Sequence, residues 1–253
     1  ASIAQVHRAQ MKSGEQVVVK AQRPEIEDQL IRDLNIFIRV VEAIPSIFID
    51  VIINPVEILK DIKIQILEEI DFLNEAHNML LFAENHRQRT TILNPIPYLG
   101  MSTRQVLIQE YIDGISIGRH FALKEEGYDL NDLASKFVLS YLYQVFDDGF
   151  YHADPHAGNI LIKDGKIVFI DFGAMGKISA GQKQLLVQIL TSLVSKDIDG
   201  LVNVLLQICK QNKTVDKVVL YRDIETLFNR YLTTGMEALE IDDIFQDLLK
   251  FGH

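Results

Sequence analysis

The sequence has few of the residues that mark a secreted or membrane-spanning protein. It contains one cysteine and no tryptophan, so no internal disulfide can form, and Cys209, which lies in an apolar stretch, is expected to be a buried thiol. No apolar run approaches the ~18 residues needed to cross a bilayer, and no signal peptide is visible. We therefore expect a cytoplasmic or peripheral membrane location, with no transmembrane segment in this sequence.

Basic charge is also scarce. The 25 Lys and Arg residues are outnumbered by 35 Asp and Glu residues, which gives a net charge of -10. Binding to the nucleic-acid backbone requires clustered cations, so we expect no nucleic-acid partner. A hydrophobic content of 48% is that of an ordinary globular protein. Because the first residue is Ala1, inside what reads as a functional loop, we expect an excised fragment of a longer protein.

Apolar periodicity predicts a first part that combines strands with long helices. A β-branched run after the Ser13-Gly14 turn predicts a strand that ends at Lys20. Asn54-Pro55 is typical of a helix start. The other predicted elements are a helix over 25–43, a single helix from 55 towards 87, and a strand over 104–111.

The second part is expected to be mostly helical, with one hairpin near its start. A helix is predicted over 130–150, followed by a β-hairpin over 159–171 whose Asp164-Gly165 centre suits a tight primed turn. Ser179 and Gln182 resemble a capping box. The fold class that we predict is α+β and bilobal, with a strand-containing N-lobe over 1–112 and a helical C-lobe over 113–253.

The strongest functional signal is the segment His152-Ala153-Asp154-Pro155-His156-Ala157-Gly158-Asn159, followed by Asp171-Phe172-Gly173. Kinases use a loop carboxylate to position the acceptor, with an Asn five residues later and a hairpin Asp holding Mg²⁺. Asp154 is thus the predicted base or positioner, Asn159 and Asp171 are the predicted metal ligands, and His152 is expected to brace the loop. A zinc site of His152, Asp154 and His156 is an alternative.

Lys20 is the predicted phosphate-binding lysine, since kinases place such a lysine on a strand and pair it with a helix glutamate. On one continuous helix Glu68, Asp71 and Glu75 would share a face, and we choose Glu75 as the partner. The segment Gln109-Glu110-Tyr111-Ile112 is the predicted hinge, whose backbone at Glu110 and Ile112 would hydrogen-bond adenine; a plain strand end is the alternative.

Several segments together resemble the UbiB (ADCK-type) atypical kinase family: 1–9, 17–24, 69–72 and 152–159. The resemblance implies a protein-kinase-like fold and an alanine-rich nucleotide loop in place of a glycine-rich one, with contacts from Ala1, Ser2, Ala4, Gln5 and Val6. It also implies that Glu69 and Asp71 form a regulatory Glu-x-Asp motif. In the family this motif meets an upstream Lys-x-Gly-Gln segment, which the sequence lacks.

The function expected from these signals is that of an atypical kinase or ATPase that uses Mg²⁺ with ATP or ADP. By resemblance it would support biosynthesis of ubiquinone or another isoprenoid quinone, with an isoprenoid lipid, a membrane surface or quinone-biosynthesis proteins as partners. The alternatives are a small-molecule kinase of the aminoglycoside or choline type and a non-catalytic nucleotide or lipid sensor. We reject a conventional protein kinase, because only residues 174–178 separate Gly173 from the helix start at Ser179, which leaves no room for a peptide-binding loop.

Overall fold

The computed structural model describes residues 3–43, 55–208 and 217–233, and the chain forms two compact units, 1–178 and 179–253. The strands are β1 Ala4–Gln10, β2 Gln16–Gln22, β3 Ile92–Leu93, β4 Val106–Glu110, β5 Ile115–Ser116, β6 Phe150–His152, β7 Ile160–Lys163, β8 Lys166–Phe169 and β9 Met175–Lys177. The helices are α1 Ile26–Ala43, α2 Pro55–Ile70, α3 Phe72–Asn85, α4 His120–Glu125, α5 Leu130–Leu142, α6 Ala180–Ser195, α7 Ile198–Ile208 and α8 Lys217–Thr233. The lobe boundary predicted at residue 112 falls inside the first unit and stays a prediction.

The first sheet has the strand order β1-β2-β4, and both pairings are antiparallel. Lys20 lies opposite Val6 on one side and Leu107 on the other. Side chains directly opposite each other in a ladder point to the same face. The register therefore places Val6 and Lys20 on one face of the sheet.

The helix predicted from residue 55 towards 87 is wrong as a single element. The structure breaks it into α2 and α3 at Asp71, whose side chain accepts a hydrogen bond from the Leu73 N–H as the N-cap of α3. Aspartate favours this role because its carboxylate replaces a missing backbone partner at the helix start. The expectation that Glu68, Asp71 and Glu75 share one helical face fails for the same reason.

The second sheet has the order β3-β8-β7-β5, and it contains the predicted hairpin. Strands β7 and β8 are antiparallel, with Lys163 opposite Lys166. Asp164 and Gly165 both adopt positive φ, 51° and 69°, as a primed two-residue turn requires. The hairpin prediction is confirmed, and it brings Asn159 and Asp171 to the same end of the ribbon, where the Ile170 N–H donates to the Asn159 carbonyl.

The main core lies in the first unit, between α3, α5 and the second sheet. Its largest fully buried side chains include Phe82, Phe169 and Phe172. The Phe82 ring meets the other two edge to face, at centroid distances of 5.4 Å to Phe169 and 5.0 Å to Phe172. The helix predicted over 130–150 is regular only to Leu142, and a π-helical turn covers Tyr143–Asp148. Such turns leave a bulge in the hydrogen-bond ladder and occur often near functional sites.

The described part of the second unit, residues 179–208 and 217–233, is mostly helical, as the sequence predicts. Ser179 and Gln182 form the predicted capping box at the start of α6. Helices α6, α7 and α8 pack around a small cluster that includes Leu201, Val202 and Ile224. Across the described ranges, no helix combines the length and apolarity that a membrane span requires. Cys209 falls outside the described residues.

Candidate active site

Most of the predicted site residues line one cavity in the first unit, with a volume of about 600 Å³. The sheet β1-β2-β4 contributes residues to it, as do α2, α3, the loop after β6 and the turn after β8. The predicted residues that line it are Ala4, Val6, Lys20, Glu69, Glu75, Glu110, Ile112, His152, Asp154, Asn159 and Asp171.

The buried ammonium of Lys20 contacts acidic side chains from two other elements that line this cavity. Lys20 Nζ donates to Glu75 Oε1 at 2.5 Å and to Asp171 Oδ2 at 3.0 Å. Lys20 comes from β2, Glu75 from the first turn of α3, and Asp171 from the turn after β8. The pairing of Lys20 with Glu75 that the sequence predicts is the contact that the structure shows.

The same glutamate also holds the Asp-Phe-Gly turn. The Phe172 N–H donates to Glu75 Oε1 at 3.2 Å, and the Phe172 carbonyl accepts from Asn78 Nδ2 at 3.0 Å. Glu75 and Asn78 are three residues apart on α3 and so share a face. The turn that carries Asp171 is therefore tied to α3 through both backbone groups of Phe172.

Charge and burial compete within this network. Burial opposes the charged form of Lys20, but the Glu75 and Asp171 carboxylates outweigh it and raise the pKa of Lys20. Burial likewise opposes ionisation of Asp171, and the Lys20 ammonium with the Gly173 N–H reverses that effect and lowers the pKa of Asp171. At Glu75 burial wins and the pKa is raised, yet the 2.5 Å contact with the Lys20 ammonium, whose own pKa is raised, favours the ionised carboxylate. We therefore treat Lys20 and Glu75 as an ion pair.

The loop after β6 presents polar atoms to the opposite side of the cavity. Asn159 Nδ2 donates to the Asp154 carbonyl at 3.1 Å, which directs the amide oxygen of Asn159 away from this contact. The Asp154 side chain is 61% exposed, and its Oδ2 lies 3.7 Å from His156 Nε2. This carboxylate is open to a ligand, whereas the Asn159 side chain is held in place by the loop.

His152 is fully buried beneath the loop. Its Nδ1 accepts from the Asp154 backbone N–H at 3.1 Å, and the backbone N–H of His152 donates to Gln144 Oε1 at 2.9 Å. Burial lowers the pKa of His152, which agrees with a neutral ring whose Nδ1 is an acceptor. The geometry is that of a brace for the Asp154 backbone, the role that the sequence predicts.

The two members of the Glu-x-Asp motif lie in different surroundings. Glu69 lines the cavity, close to the Asp171 turn, since a Cβ added at Gly173 would lie 3.2 Å from Glu69 Cγ. Burial and the nearby Asp171 and Asp154 carboxylates raise the pKa of Glu69. Asp71 instead caps α3 and pairs with Arg104 at 3.0 Å, outside the lining of the cavity.

Some predicted nucleotide contacts are not brought to the cavity. The side chain of Gln5 is exposed and lies 3.4 Å from His7, because alternate residues of β1 point to opposite faces. The predicted loop over 1–6 is also too long, since β1 already begins at Ala4. Ala1 and Ser2 lie outside the described residues.

Two polar residues of the site were missed in the sequence: Asn78, which holds Phe172, and Gln144, which supports His152. Gln109 begins the predicted hinge segment 109–112, but that prediction used only the backbone, whereas the structure places the Gln109 side chain in the lining of the cavity. Asn78 had a usable signal, because it lies three residues after the chosen Glu75 on a predicted helix. Gln144 had none, since a glutamine in an apolar helix has no motif of its own.

The acidic and imidazole side chains that line the cavity are not arranged to hold a metal ion by themselves. Within the part of the chain that the structure describes, no three His, Cys, Asp or Glu side chains are arranged to hold a metal ion. The alternative zinc site of His152, Asp154 and His156 is therefore excluded, and His152 Nδ1 is already occupied by the Asp154 N–H. Asn159 and Asp171 supply two oxygen donors, the number that kinases use when phosphates complete the shell.

Comparison with known proteins identifies the family of this chain. A family model described as the ABC1 atypical kinase-like domain matches residues 1–205. The chain belongs to the ABC1 atypical kinase-like family. The resemblance to UbiB (ADCK-type) kinases is thereby confirmed, because relatives include the Arabidopsis thaliana protein ACTIVITY OF BC1 COMPLEX KINASE 8, chloroplastic, which is 35% identical over 82% of this chain and 28% of its own length.

Other relatives place the domain within longer proteins. An uncharacterised protein of the hydrogenase 1 5′ region of Clostridium pasteurianum is 36% identical over all of this chain, which spans 48% of that protein. The chain thus spans less than half of these curated relatives. A solved structure of Rv3197 from Mycobacterium tuberculosis with erythromycin matches at a TM-score of 0.63 with 24% identity, over 92% of this chain and 58% of that one. The predicted α+β, kinase-like fold is confirmed.

Proposed function

We propose that this domain is an atypical kinase-like phosphotransferase or ATPase that binds ATP or ADP with Mg²⁺ in the cavity. One observation supports this most strongly: Lys20 bonds both Glu75 and Asp171, and the Phe172 N–H bonds the same glutamate. This arrangement joins a phosphate-binding cation, a helix acid and a metal-binding turn, as a kinase-like site requires. Asp154 and Asn159 line the same cavity.

The roles follow from the atoms that each side chain exposes. Asn159 and Asp171 would hold Mg²⁺ through oxygen, and the bound ion would offset the negative charge of the phosphates. Lys20, charged through its two carboxylate partners, would contact the phosphates. Asp154 would orient the attacking hydroxyl or water. His152 would position Asp154 by accepting the hydrogen bond of the Asp154 backbone N–H at Nδ1.

The opposite end of the cavity supports binding of a base. Glu110 and Ile112 line it at the end of β4, where their backbone groups would hydrogen-bond adenine. Ala4 and Val6 on β1 would cover the nucleotide. Because β1 carries side chains where an ordinary kinase has glycines, the close approach of backbone N–H groups to phosphates is restricted, and we propose that the preference between ATP and ADP is altered.

The phosphoryl acceptor is proposed to be water or a small molecule. After Gly173 the chain forms the short β9 and then enters α6 at Ser179, which supports the rejection of a peptide substrate. From family resemblance we extend the proposal to a role in the biosynthesis of ubiquinone or another isoprenoid quinone, with an isoprenoid lipid, a membrane surface or quinone-biosynthesis proteins as partners. Stimulation of ATP hydrolysis by isoprenoid lipids or anionic liposomes would test that extension.

The first test removes the metal-binding charge. Asp171→Asn should weaken Mg²⁺-dependent ATP binding by about 10- to 100-fold, because an ionic contact to the metal is lost. Binding is measured by calorimetry, with and without Mg²⁺. The matched control is Asp164→Asn, the same substitution at the tip of the same hairpin, where Asn tolerates the positive φ and binding should not change.

The outcomes separate the candidate functions. Unchanged Mg²⁺·ATP affinity in Asp171→Asn would contradict the proposed site. Tight nucleotide binding without turnover, in the wild type and with lipids present, would support the non-catalytic sensor instead. Turnover with an aminoglycoside or choline-type acceptor, and none with water or lipid, would support the small-molecule kinase.

A further inference from the structure

Gln109 is a buried polar residue at the base end of the cavity that the proposed mechanism does not use. It lies on β4 directly opposite Val18 of β2, and both side chains line the cavity. Only 3% of Gln109 is exposed. The next residue along the chain, Glu110, is the first of the two proposed hinge positions, so Gln109 adjoins the place where a base would bind.

The orientation of the Gln109 amide is determined by its neighbour. Its Nε2 donates to the Ile170 carbonyl at 3.2 Å. A carbonyl oxygen can only accept, so the NH₂ group must face Ile170 and the oxygen must point the other way. Among the described residues that Oε1 has no hydrogen-bond partner.

A buried acceptor without a donor is unfavourable, because the group has lost water and gained nothing in return. Native proteins keep few such groups, and those that line a cavity are candidates for a ligand contact. The missing partner must be a donor, since Oε1 cannot accept from another acceptor. The position therefore fits a ligand with an N–H group beside the hinge.

We propose that Gln109 Oε1 accepts a hydrogen bond from the 6-amino group of an adenine base and thereby selects adenine over 6-oxo purines. The proposal rests on the nucleotide site proposed above. The adenine amino group has two hydrogens, so one can be donated to the Glu110 carbonyl and the other to Oε1. Guanine and hypoxanthine carry an oxygen there, which would face Oε1 acceptor to acceptor, and a site built for a donor rejects such analogues.

The experiment compares three nucleotides that differ only at position 6 of the purine and in the ring-nitrogen protonation that this position determines. ATP has an amino group there, purine riboside triphosphate has hydrogen, and inosine triphosphate has oxygen. Their dissociation constants are measured by calorimetry with Mg²⁺ for the wild type and for Gln109→Met, which is similar in volume and lacks the acceptor. We expect the preference for ATP over inosine triphosphate to fall about tenfold in Gln109→Met. The dissociation constant of purine riboside triphosphate should change least of the three.

The ratio between nucleotides isolates the contact from general damage. Loss of the hydrogen bond from Gln109 to the Ile170 carbonyl could shift Asp171. Because the triphosphate is identical in all three ligands, such a shift would weaken the binding of all three equally. Ile108→Met is the matched control, because Ile108 adjoins Gln109 on β4 and points to the other face. It should leave the ratio unchanged, and thermal unfolding reports the stability of both variants.

Each result decides the proposal. If the ratio of the ATP and inosine triphosphate dissociation constants is the same in Gln109→Met and the wild type, the proposal is overturned. Gln109 would then serve only to hydrogen-bond the Ile170 carbonyl. A reduced ratio in Ile108→Met of the same size would overturn it as well, since the effect would then belong to the strand. If none of the three nucleotides binds the wild type, the nucleotide site itself fails, which is a different outcome from an unchanged ratio.

Discussion

Two neighbouring regions of the chain carry acidic residues with very different surroundings. Glu75, in the first turn of α3, is 3% exposed and bonds both Lys20 and Phe172. Glu69 and Asp71, at the break before α3, are open to solvent or only partly covered, and Asp71 pairs with the largely exposed Arg104. The three acids lie within seven residues of each other in the sequence.

The comparison shows that burial and partners, rather than charge, decide what an acid contributes. A buried ion pair is costly to break, because the remaining charge has lost both its partner and its water. An exposed pair adds little, since water and salt screen it. Glu75 should therefore support the fold and the site together, Asp71 should support a helix end, and Glu69 should cost stability until a cation is present.

The largest effect is expected at Glu75. Glu75→Ala should destabilise the protein by about 3 kcal/mol, because Lys20 would stay buried with Asp171 as its only anionic partner and the Phe172 N–H would lose its acceptor. Chemical denaturation followed by circular dichroism measures the change. The double variant Lys20→Met with Glu75→Leu should recover part of the loss, because an apolar pair replaces the stranded charge. A cost below about 1 kcal/mol for Glu75→Ala would mean that the pair behaves like an exposed one.

A moderate effect is expected at Asp71. Asp71→Ala should cost about 1 kcal/mol, since the α3 N-cap is lost, and denaturation measures it. Asp71→Asn keeps a capping oxygen and removes the charge, so it should retain most of the stability. Equal losses in the two variants would show that the Arg104 ion pair, and not the cap, carries the contribution.

The smallest effect, with the opposite sign, is expected at Glu69. Its pKa is raised above the ordinary 4.5, so the folded protein takes up this proton more readily than the unfolded chain and loses stability as pH rises through the window above 4.5. Glu69→Gln should therefore raise the melting temperature at neutral pH by about 1 °C, a small value because the side chain is partly solvated. The gap should close as pH falls below 4.5. Melting curves across this range test it, and a gap that is constant with pH would rule out titration of Glu69 as its cause.

Local sequence signals predicted those parts of the fold that short-range physics controls. The Asp164-Gly165 turn, the Ser179 and Gln182 capping box and the helix over 25–43 were all readable, since each depends on residues a few positions apart. The family motif likewise identified Lys20, Asp154, Asn159 and Asp171 as a set. Their roles with nucleotide and metal stay predictions.

The wrong helix prediction came from extending one periodic pattern past the residue at which the helix ends. The apolar stripe runs through Asp71 without interruption, so periodicity predicted one helix, yet the cap at Asp71 and the hydrogen bond from the Phe72 N–H to the Arg104 carbonyl turn the chain there. Gln144 and the side-chain role of Gln109 could not be found, because burial of a glutamine becomes informative only when its neighbours are known.

By itself the sequence determined the order of the elements, the hairpin that spaces Asn159 from Asp171, and the family to which the chain belongs. Only the tertiary structure decided that Asp171 bonds Lys20 together with the predicted Glu75, which member of the Glu-x-Asp pair enters the cavity, and which amide is left with an unpaired oxygen. The physical reason is that turns and caps depend on residues close along the chain, whereas an ion pair or an unmet acceptor depends on packing between segments far apart in it, such as Lys20 with Asp171.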